Sequence, residues 1–308
     1  MPEGYMETPL NFREIEEYVT TSGDAILEEL TCADRVFFYD TCAFRLHANM
    51  ESPEFIFQFI KHQRGLVVVT RCVLMELASY SGSLNGEYIR YFEKLHMTGV
   101  KVLLMYEEDF FHVLELCFNT NAKINSLLSC AVRVVKSSVG TVETVLKEDR
   151  KLLTEIMGDS SSDSTLFKRV FGKVRSNKEQ GDNLGEELLC IVMHMLSNMP
   201  DILNYRYLIL TDDKGAIGWI NRTAWNVWKY NGKRTFSALS TARLAQRLFE
   251  EGIVTEPCEV ERVLNAAAVG GNLRVLGSGL YDLEPKELRF SSGELAERIV
   301  EKSIHINY

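Results

Sequence analysis

No stretch of this sequence reaches the roughly 18 uninterrupted apolar residues needed to span a bilayer, and Met1-Pro2-Glu3-Gly4 lacks the basic start and apolar core of a signal peptide. A cytoplasmic protein with no membrane partner is therefore expected. No CxxC pair occurs, and the seven cysteines are scattered and odd in number. Cys32, Cys42, Cys72, Cys117, Cys130, Cys190 and Cys258 read as buried reduced thiols, not as a disulfide frame or zinc site. None of the six histidines lies at ligand spacing from a cysteine or another histidine. No Gly-rich loop joins a strand to a helix, since Gly270-Gly271-Asn272 and Gly277-Ser278-Gly279 read as turns, so a nucleotide fold is disfavoured. A net charge of −9 argues against a generally sticky nucleic-acid binder but not against a local basic face.

What is present is a set of short apolar runs that end in acids. Tyr207-Leu208-Ile209-Leu210 stops at Thr211-Asp212-Asp213, and Val36-Phe37-Phe38-Tyr39 stops at Asp40-Thr41. In an open α/β sheet the ligand crevice lies beyond the carboxyl ends of the strands, so acids at two strand tips can meet there. Leu66–Thr70 and Val100–Tyr106 are further strand-like runs, without polar alternation until their ends, as in strands covered on both faces. Helical segments of ten to fifteen residues separate the runs, which is the βαβ pattern of a parallel sheet.

At 308 residues and 46% hydrophobic, the chain is long enough for one elaborated domain. The expected fold is three-layer α/β/α with a central, mainly parallel sheet, a helical insertion and C-terminal helices. A helical leader is assigned to 1–34, the main domain to 35–235 with its insertion at 107–181, and a mostly helical extension to 236–308. The insertion reads as one long helix or a hairpin bent near Ser137-Ser138-Val139-Gly140, packed on the domain; a dimerisation arm or substrate lid is the alternative. Gly158–Ser164 and Arg175–Gly181 read as mobile loops.

The candidate acids, in chain order, are Asp40, Glu76 in the helix after the second strand, Asp182 or Glu186 at a helix start, and Asp212 with Asp213. Crowded carboxylates are natural ligands for Mg²⁺ or Mn²⁺, and such a site suits phosphodiester hydrolysis. Beyond Asp213 the charge changes sign. Lys214, Arg222, Lys229, Lys233 and Arg234 occur with no acid among them, interleaved with Trp219, Trp225, Trp228 and Tyr230, which suits phosphates and unpaired bases. An aspartyl-phosphate enzyme is disfavoured, because Cys42 stands where a second Asp is usually wanted.

The order of these acids resembles that of the PIN-domain nucleases, the family of the VapC toxins of toxin–antitoxin pairs. The resemblance rests on Asp40 followed by Thr41, on Val73-Leu74-Met75-Glu76-Leu77, on Gly185-Glu186 and on Leu210-Thr211-Asp212-Asp213, and it covers about 35–106 and 183–235. It implies a Mg²⁺- or Mn²⁺-dependent endoribonuclease with Asp40, Glu76, Glu186 and Asp213 as ligands and catalytic acids, Asp182 and Asp212 as further candidate ligands, and Thr211 as support. The branch of the family with a Gly-Glu third acid often has another acid two residues on, where this chain has Leu188, so Asp182, Glu186 and Glu187 remain open. RNA is the expected partner, with single-stranded DNA, a second copy of the chain or a regulatory protein as others. The alternative function is an inactive PIN-like module that binds RNA or protein through its helical insertion.

Overall fold

The computed structural model describes all residues except 1–4, 22, 136–139, 159–163, 201–204, 280–281 and 283. Two 3₁₀ turns, Phe12–Glu14 and Glu16–Tyr18, precede helix α1 (Gly23–Cys32). The first half of the domain then runs β1 (Arg35–Tyr39), α2 (Thr41–Ala48), α3 (Glu54–His62), β2 (Gly65–Thr70), α4 (Arg71–Leu77), α5 (Gly86–Met97) and β3 (Val102–Met105). Five helices follow: α6 (Phe110–Glu115), α7 (Asn121–Val135), α8 (Thr141–Glu148), α9 (Arg150–Met157) and α10 (Ser164–Arg175). Next come α11 (Leu184–Leu196), β4 (Tyr207–Leu210), α12 (Lys214–Asn231) and β5 (Phe236–Leu239). The chain continues through α13 (Thr241–Glu250), α14 (Pro257–Asn265), β6 (Asn272–Gly279), β7 (Lys286–Ser291), α15 (Ser292–Val300) and β8 (Ile304–Ile306).

The five parallel strands are ordered β3-β2-β1-β4-β5, so β1 and β4 lie side by side at the centre, paired Val36 to Tyr207 through Tyr39 to Leu210. Because side chains alternate across a strand, each strand feeds two separate cores. Val36, Phe38, Val68, Leu103, Met105, Tyr207 and Ile209 pack on one face with α1, α6 to α12. Phe37, Tyr39, Val67, Val69, Val102, Leu104 and Leu210 pack on the other with α3, α5 and α13 to α15. The fold is therefore α/β with helices on both faces of a parallel sheet, and among the described residues no helix is long and apolar enough to cross a membrane.

The insertion is part of the first core, not an arm, with Ile124, Leu128, Val145, Phe167 and Phe171 fully buried against α11 and the sheet. The Ser137-Ser138-Val139 bend and most of the Gly158–Ser164 loop lie outside the described residues, but five short helices replace the long helix or hairpin expected. The domain limits also shift. β5 belongs to the central sheet although it lies beyond 235, and the C-terminal segment carries a three-stranded antiparallel sheet, β7-β6-β8, beside its helices. Its charged, solvent-facing strands lack the apolar runs that mark the main sheet; β7 reads Lys-Glu-Leu-Arg-Phe-Ser with one fully buried side chain. The leader caps the other end, as Thr20 bridges Leu103 and covers part of the β3 edge. Of the cysteines, Cys72 and Cys190 are buried as expected, whereas Cys32, Cys130 and Cys258 are exposed; all are free.

One buried cation closes the insertion. Arg175, at the end of α10, is 1% exposed in its side chain and pairs with Glu107 at 2.6 Å, Glu108 at 2.6 Å and Glu7 at 2.9 Å. Glu107 in turn accepts the amide of Cys72 at the start of α4. The insertion thus leaves and rejoins the domain at one ionic knot. Removing one partner of a buried pair strands the other charge, which costs about 3–5 kcal/mol. Arg175→Met is expected to lower stability by that amount in chemical denaturation, whereas an exposed pair such as Arg90 with Glu87 should contribute less than ~1 kcal/mol.

A second buried group gives a pH signature. His47 is enclosed on both ring nitrogens, by the Tyr39 hydroxyl at 2.9 Å and the Thr241 hydroxyl at 3.0 Å, and burial depresses its pKa from 6.5 to about 3. The unfolded chain takes up this proton near pH 6.5 and the folded chain does not, so the His47 share of stability is complete above that pH and lost as pH falls toward 3. The loss is about 1.4 kcal/mol per pH unit. His47→Gln should remove that much from the slope of unfolding free energy between pH 6 and pH 4, measured by urea titration at each pH.

Candidate active site

Two strand ends, the last turn of one helix and the first turn of another build the site. Asp40 follows β1 in extended conformation and caps α2, its Oδ1 accepting the Thr41 amide at 2.8 Å. Its Oδ2 accepts the Thr211 hydroxyl at 2.7 Å and the Cys42 thiol at 2.9 Å. Thr211 is fully buried just past β4, and its Oγ1 also accepts the Asp213 amide at 3.1 Å. Asp213 then caps α12 by accepting the amides of Gly215 at 2.6 Å and Ala216 at 3.3 Å. Thr211 therefore ties the two strand-tip acids together.

Glu76 lies in α4, which starts directly at the end of β2, so the helix carries it over the top of the sheet. The Thr41 hydroxyl donates to one of its oxygens. Gly185 makes room for it, since a Cβ at that position would stand 3.1 Å from Glu76 Oε1. This is a physical reason for the Gly before Glu186: a side chain there would have to push the Glu76 carboxylate aside. Glu186 itself sits in the first turn of α11. Burial first, then the charges of Asp40, Glu76 and Asp213, push its carboxyl up to about 8.

Asp40, Glu76, Asp182, Glu186 and Asp213 all line one open cavity of about 310 Å³, with Thr41, Cys42 and Arg45. The cavity also holds a residue that the sequence did not single out. Lys178 has a side chain only 3% exposed and pairs with Glu76 at 2.7 Å and with Asp182. Burial acts to lower this ammonium, but the two carboxylates outweigh it and hold it above its usual range. For Glu76 the balance goes the other way, and burial raises its carboxyl against the pull of Lys178. The expected loop at Arg175–Gly181 is thus a structured bridge with Arg175 and Lys178 both turned inward.

The three acids around the α11 start separate by role. Asp182 organises the bridge, accepting from the Thr141 hydroxyl, the Glu179 amide and the Leu184 amide as well as Lys178. Glu187 points into the insertion, where it accepts the Val142 amide at 2.9 Å, and burial pushes it up to about 7. Gly140 is a glycine because a Cβ there would overlap Glu187 Oε1, 1.8 Å away. Glu186 alone of the three faces Asp40, Glu76 and Asp213 through charge. Asp212 is turned aside to cap α13, accepting the Thr241 amide at 3.0 Å and its hydroxyl at 2.5 Å.

The all-oxygen donor set of Asp40, Glu186 and Asp213 suits a hard divalent cation. As the side chains stand, though, no three His, Cys, Asp or Glu residues among those described are gathered so that they could hold a metal ion. Lys178 supplies the positive charge on the Glu76 side instead.

The basic segment is spread more widely than expected. Lys214 stays at the site and pairs with Glu287 at 3.0 Å. Arg222 stacks over Trp219, and exposed Trp225 and Trp228 lie 4.8 Å apart on the same helix. But α12 runs back along the sheet for 18 residues, about 26 Å. It carries Lys229, Lys233 and Arg234 to the opposite end, where Arg234 lines a different cavity with Arg35 and His305. The expectation that these cations flank the acid pocket is corrected by the length of that helix.

Glu186 gives this site a stability signature of its own. Its carboxyl titrates near 4.5 when unfolded and near 8 when folded, so its share of stability is present below 4.5 and lost as pH rises through 8. In the presence of chelator, Glu186→Gln should therefore raise the unfolding temperature more at pH 8 than at pH 5; an equal change at both would contradict the charge crowding. Compared with known protein families, with curated proteins and with solved structures, the chain matches none.

Proposed function

We propose that the protein is a PIN-like, metal-dependent endoribonuclease that hydrolyses RNA phosphodiester bonds with Mg²⁺ or Mn²⁺. The observation that carries this reading is the meeting of Asp40, Glu76, Glu186 and Asp213, from four separate elements, in one cavity at the carboxyl ends of the strands. Such crowding is costly without a cation, and it adds to burial in raising the Glu186 carboxyl.

Asp40, Glu186 and Asp213 would hold the ion, which when bound supplies polarisation of the phosphate and of the attacking water. Thr211 keeps Asp40 and Asp213 oriented through its hydroxyl. Glu186 would have to be deprotonated to serve as a ligand. Lys178 holds Glu76 in place and neutralises one side of the pocket, which lowers the repulsion an incoming phosphate meets. Lys214 stands at the rim next to Asp213, within reach of a neighbouring phosphate once it leaves Glu287.

Lys178 also favours a second reading. A resident ammonium that already compensates Glu76 and Asp182 is what a PIN-like module without catalysis would contain, binding RNA or protein instead.

Cleavage assays separate the two. On a labelled single-stranded RNA with Mn²⁺, Asp40→Asn and Asp213→Asn should each lower the rate by more than about 100-fold, with unfolding temperatures equal to or above that of the parent because like charge is removed. Activity that persists in both variants, or that chelator leaves intact, would sink the nuclease reading. An inert parent chain that still binds RNA or a protein would favour the second.

A further inference from the structure

Next to the acid pocket lies a larger cleft of about 580 Å³, walled on one side by the end of β4 and on the other by the β6–β7 ribbon. The two residues flanking Asp213, Asp212 and Lys214, line this cleft, while Asp213 lines the acid pocket. The two cavities are therefore lined by consecutive residues of the chain.

The cleft wall carries two like charges side by side. In the β6–β7 register Arg274 stands directly opposite Arg289, and both are exposed in the cleft wall. Like charges directly opposite on an antiparallel pair repel and destabilise the ribbon. Among the described residues neither guanidinium makes a hydrogen bond or ion pair. The acid on their face is Glu287, which Lys214 already engages at 3.0 Å, and whose carboxyl is held below its usual range by Lys214 and then by both arginines. The other acid of the cleft, Asp212, has its oxygens occupied by the Thr241 amide and hydroxyl.

Tyr308 also lines this cleft. Tyr308 is fastened by its backbone to Leu276, and its hydroxyl is buried without a hydrogen-bond partner among the described residues. Burial, and then the carboxylates of Asp212, Asp213 and Asp40, keep this hydroxyl protonated. The same cleft presents apolar surface from Ala267, Val269 and Leu273. The apolar faces of unpaired bases can shed water against such a surface, whereas a duplex turns its base faces inward.

We propose that this cleft is the subsite that grips single-stranded nucleic acid next to the scissile phosphate, with Arg274 and Arg289 clamping one backbone phosphate between them. The assignment rests on the nuclease reading for its purpose but not for its chemistry, since the arginine pair binds phosphate whether or not cleavage follows. It gives the C-terminal sheet a role: it supplies a strand-borne phosphate clamp that the central sheet, with acids at its tips, cannot provide.

The test is direct binding of a fluorescein-labelled ten-nucleotide oligouridylate, read by anisotropy in the presence of chelator, so that neither metal nor cleavage contributes. Arg274→Ala and Arg289→Ala should each weaken binding by about 10-fold and reduce the slope of log affinity against log salt by ~0.7 per lost contact. Both should unfold at or above the parent temperature, because a repulsion has been removed; a purely structural role would lower it. Lys229→Ala with Lys233→Ala, at the far end of α12, should bind as the parent does. The clamp is overturned if the double arginine variant keeps parental affinity and salt slope, if the parent binds no oligouridylate, or if only the Lys229 and Lys233 changes weaken binding. The two claims fail separately: arginine-dependent binding without Mn²⁺-dependent cleavage retains the clamp and rejects the nuclease, whereas cleavage indifferent to both arginines does the reverse.

Discussion

Carboxylates gathered at the end of a parallel sheet repel one another through a region where water is partly excluded, and that repulsion constrains everything around it. Asp40 and Asp213 are drawn together because β1 and β4 are adjacent central strands, and Glu76 and Glu186 because α4 packs against α11 with Gly185 leaving room for the Glu76 carboxylate. The surroundings offset the cost piecemeal. Helix N-termini take up Asp40 and Asp213, the Thr211 hydroxyl bridges them, a proton remains on Glu186 near neutral pH, and the Lys178 ammonium compensates Glu76 and Asp182. What is left is an oxygen-lined cavity still short of positive charge.

The insertion has a place in this balance. It covers one face of the sheet with its own apolar side chains, and its exit is fixed by Arg175 against Glu107, Glu108 and Glu7. Three residues after that knot the chain delivers Lys178, and four later Asp182. Glu187 fastens the same region from the other side by accepting the Val142 amide of α8. The insertion is therefore joined to the acid pocket through a lysine, and the C-terminal sheet reaches the neighbouring stretch of chain through the pairing of Glu287 with Lys214.

The central strands were legible because they are short, apolar on both faces and end abruptly. The reading placed strands at 35–40, 66–70 and 207–210, within a residue of β1, β2 and β4. Glu76 and Glu186 were legible from their place in elements that end at the same edge. β5 was not, since Phe-Ser-Ala-Leu is only four residues long, mixed in polarity and placed after a basic turn. β7 was hidden by its charge, and with it the pairing of Arg274 with Arg289, which exists only through an antiparallel register. Arg175 and Lys178 looked like loop cations; their burial depends on acids 68 and 102 positions away in sequence, and the sole local hint was Asp182 four residues beyond Lys178. The basic residues of α12 were read as one face because they are close in sequence, whereas a helix of that length separates its ends by the depth of the domain.

The central claim is that the acid pocket completes itself with a divalent cation despite its resident lysine. Anomalous diffraction at the manganese edge, from crystals soaked in Mn²⁺, tests this most directly. The account expects a single strong peak within ligand distance of the carboxylates of Asp40, Glu186 and Asp213, with Lys178 still beside Glu76. A pocket without manganese at millimolar concentration, or manganese bound only elsewhere on the chain, would contradict it.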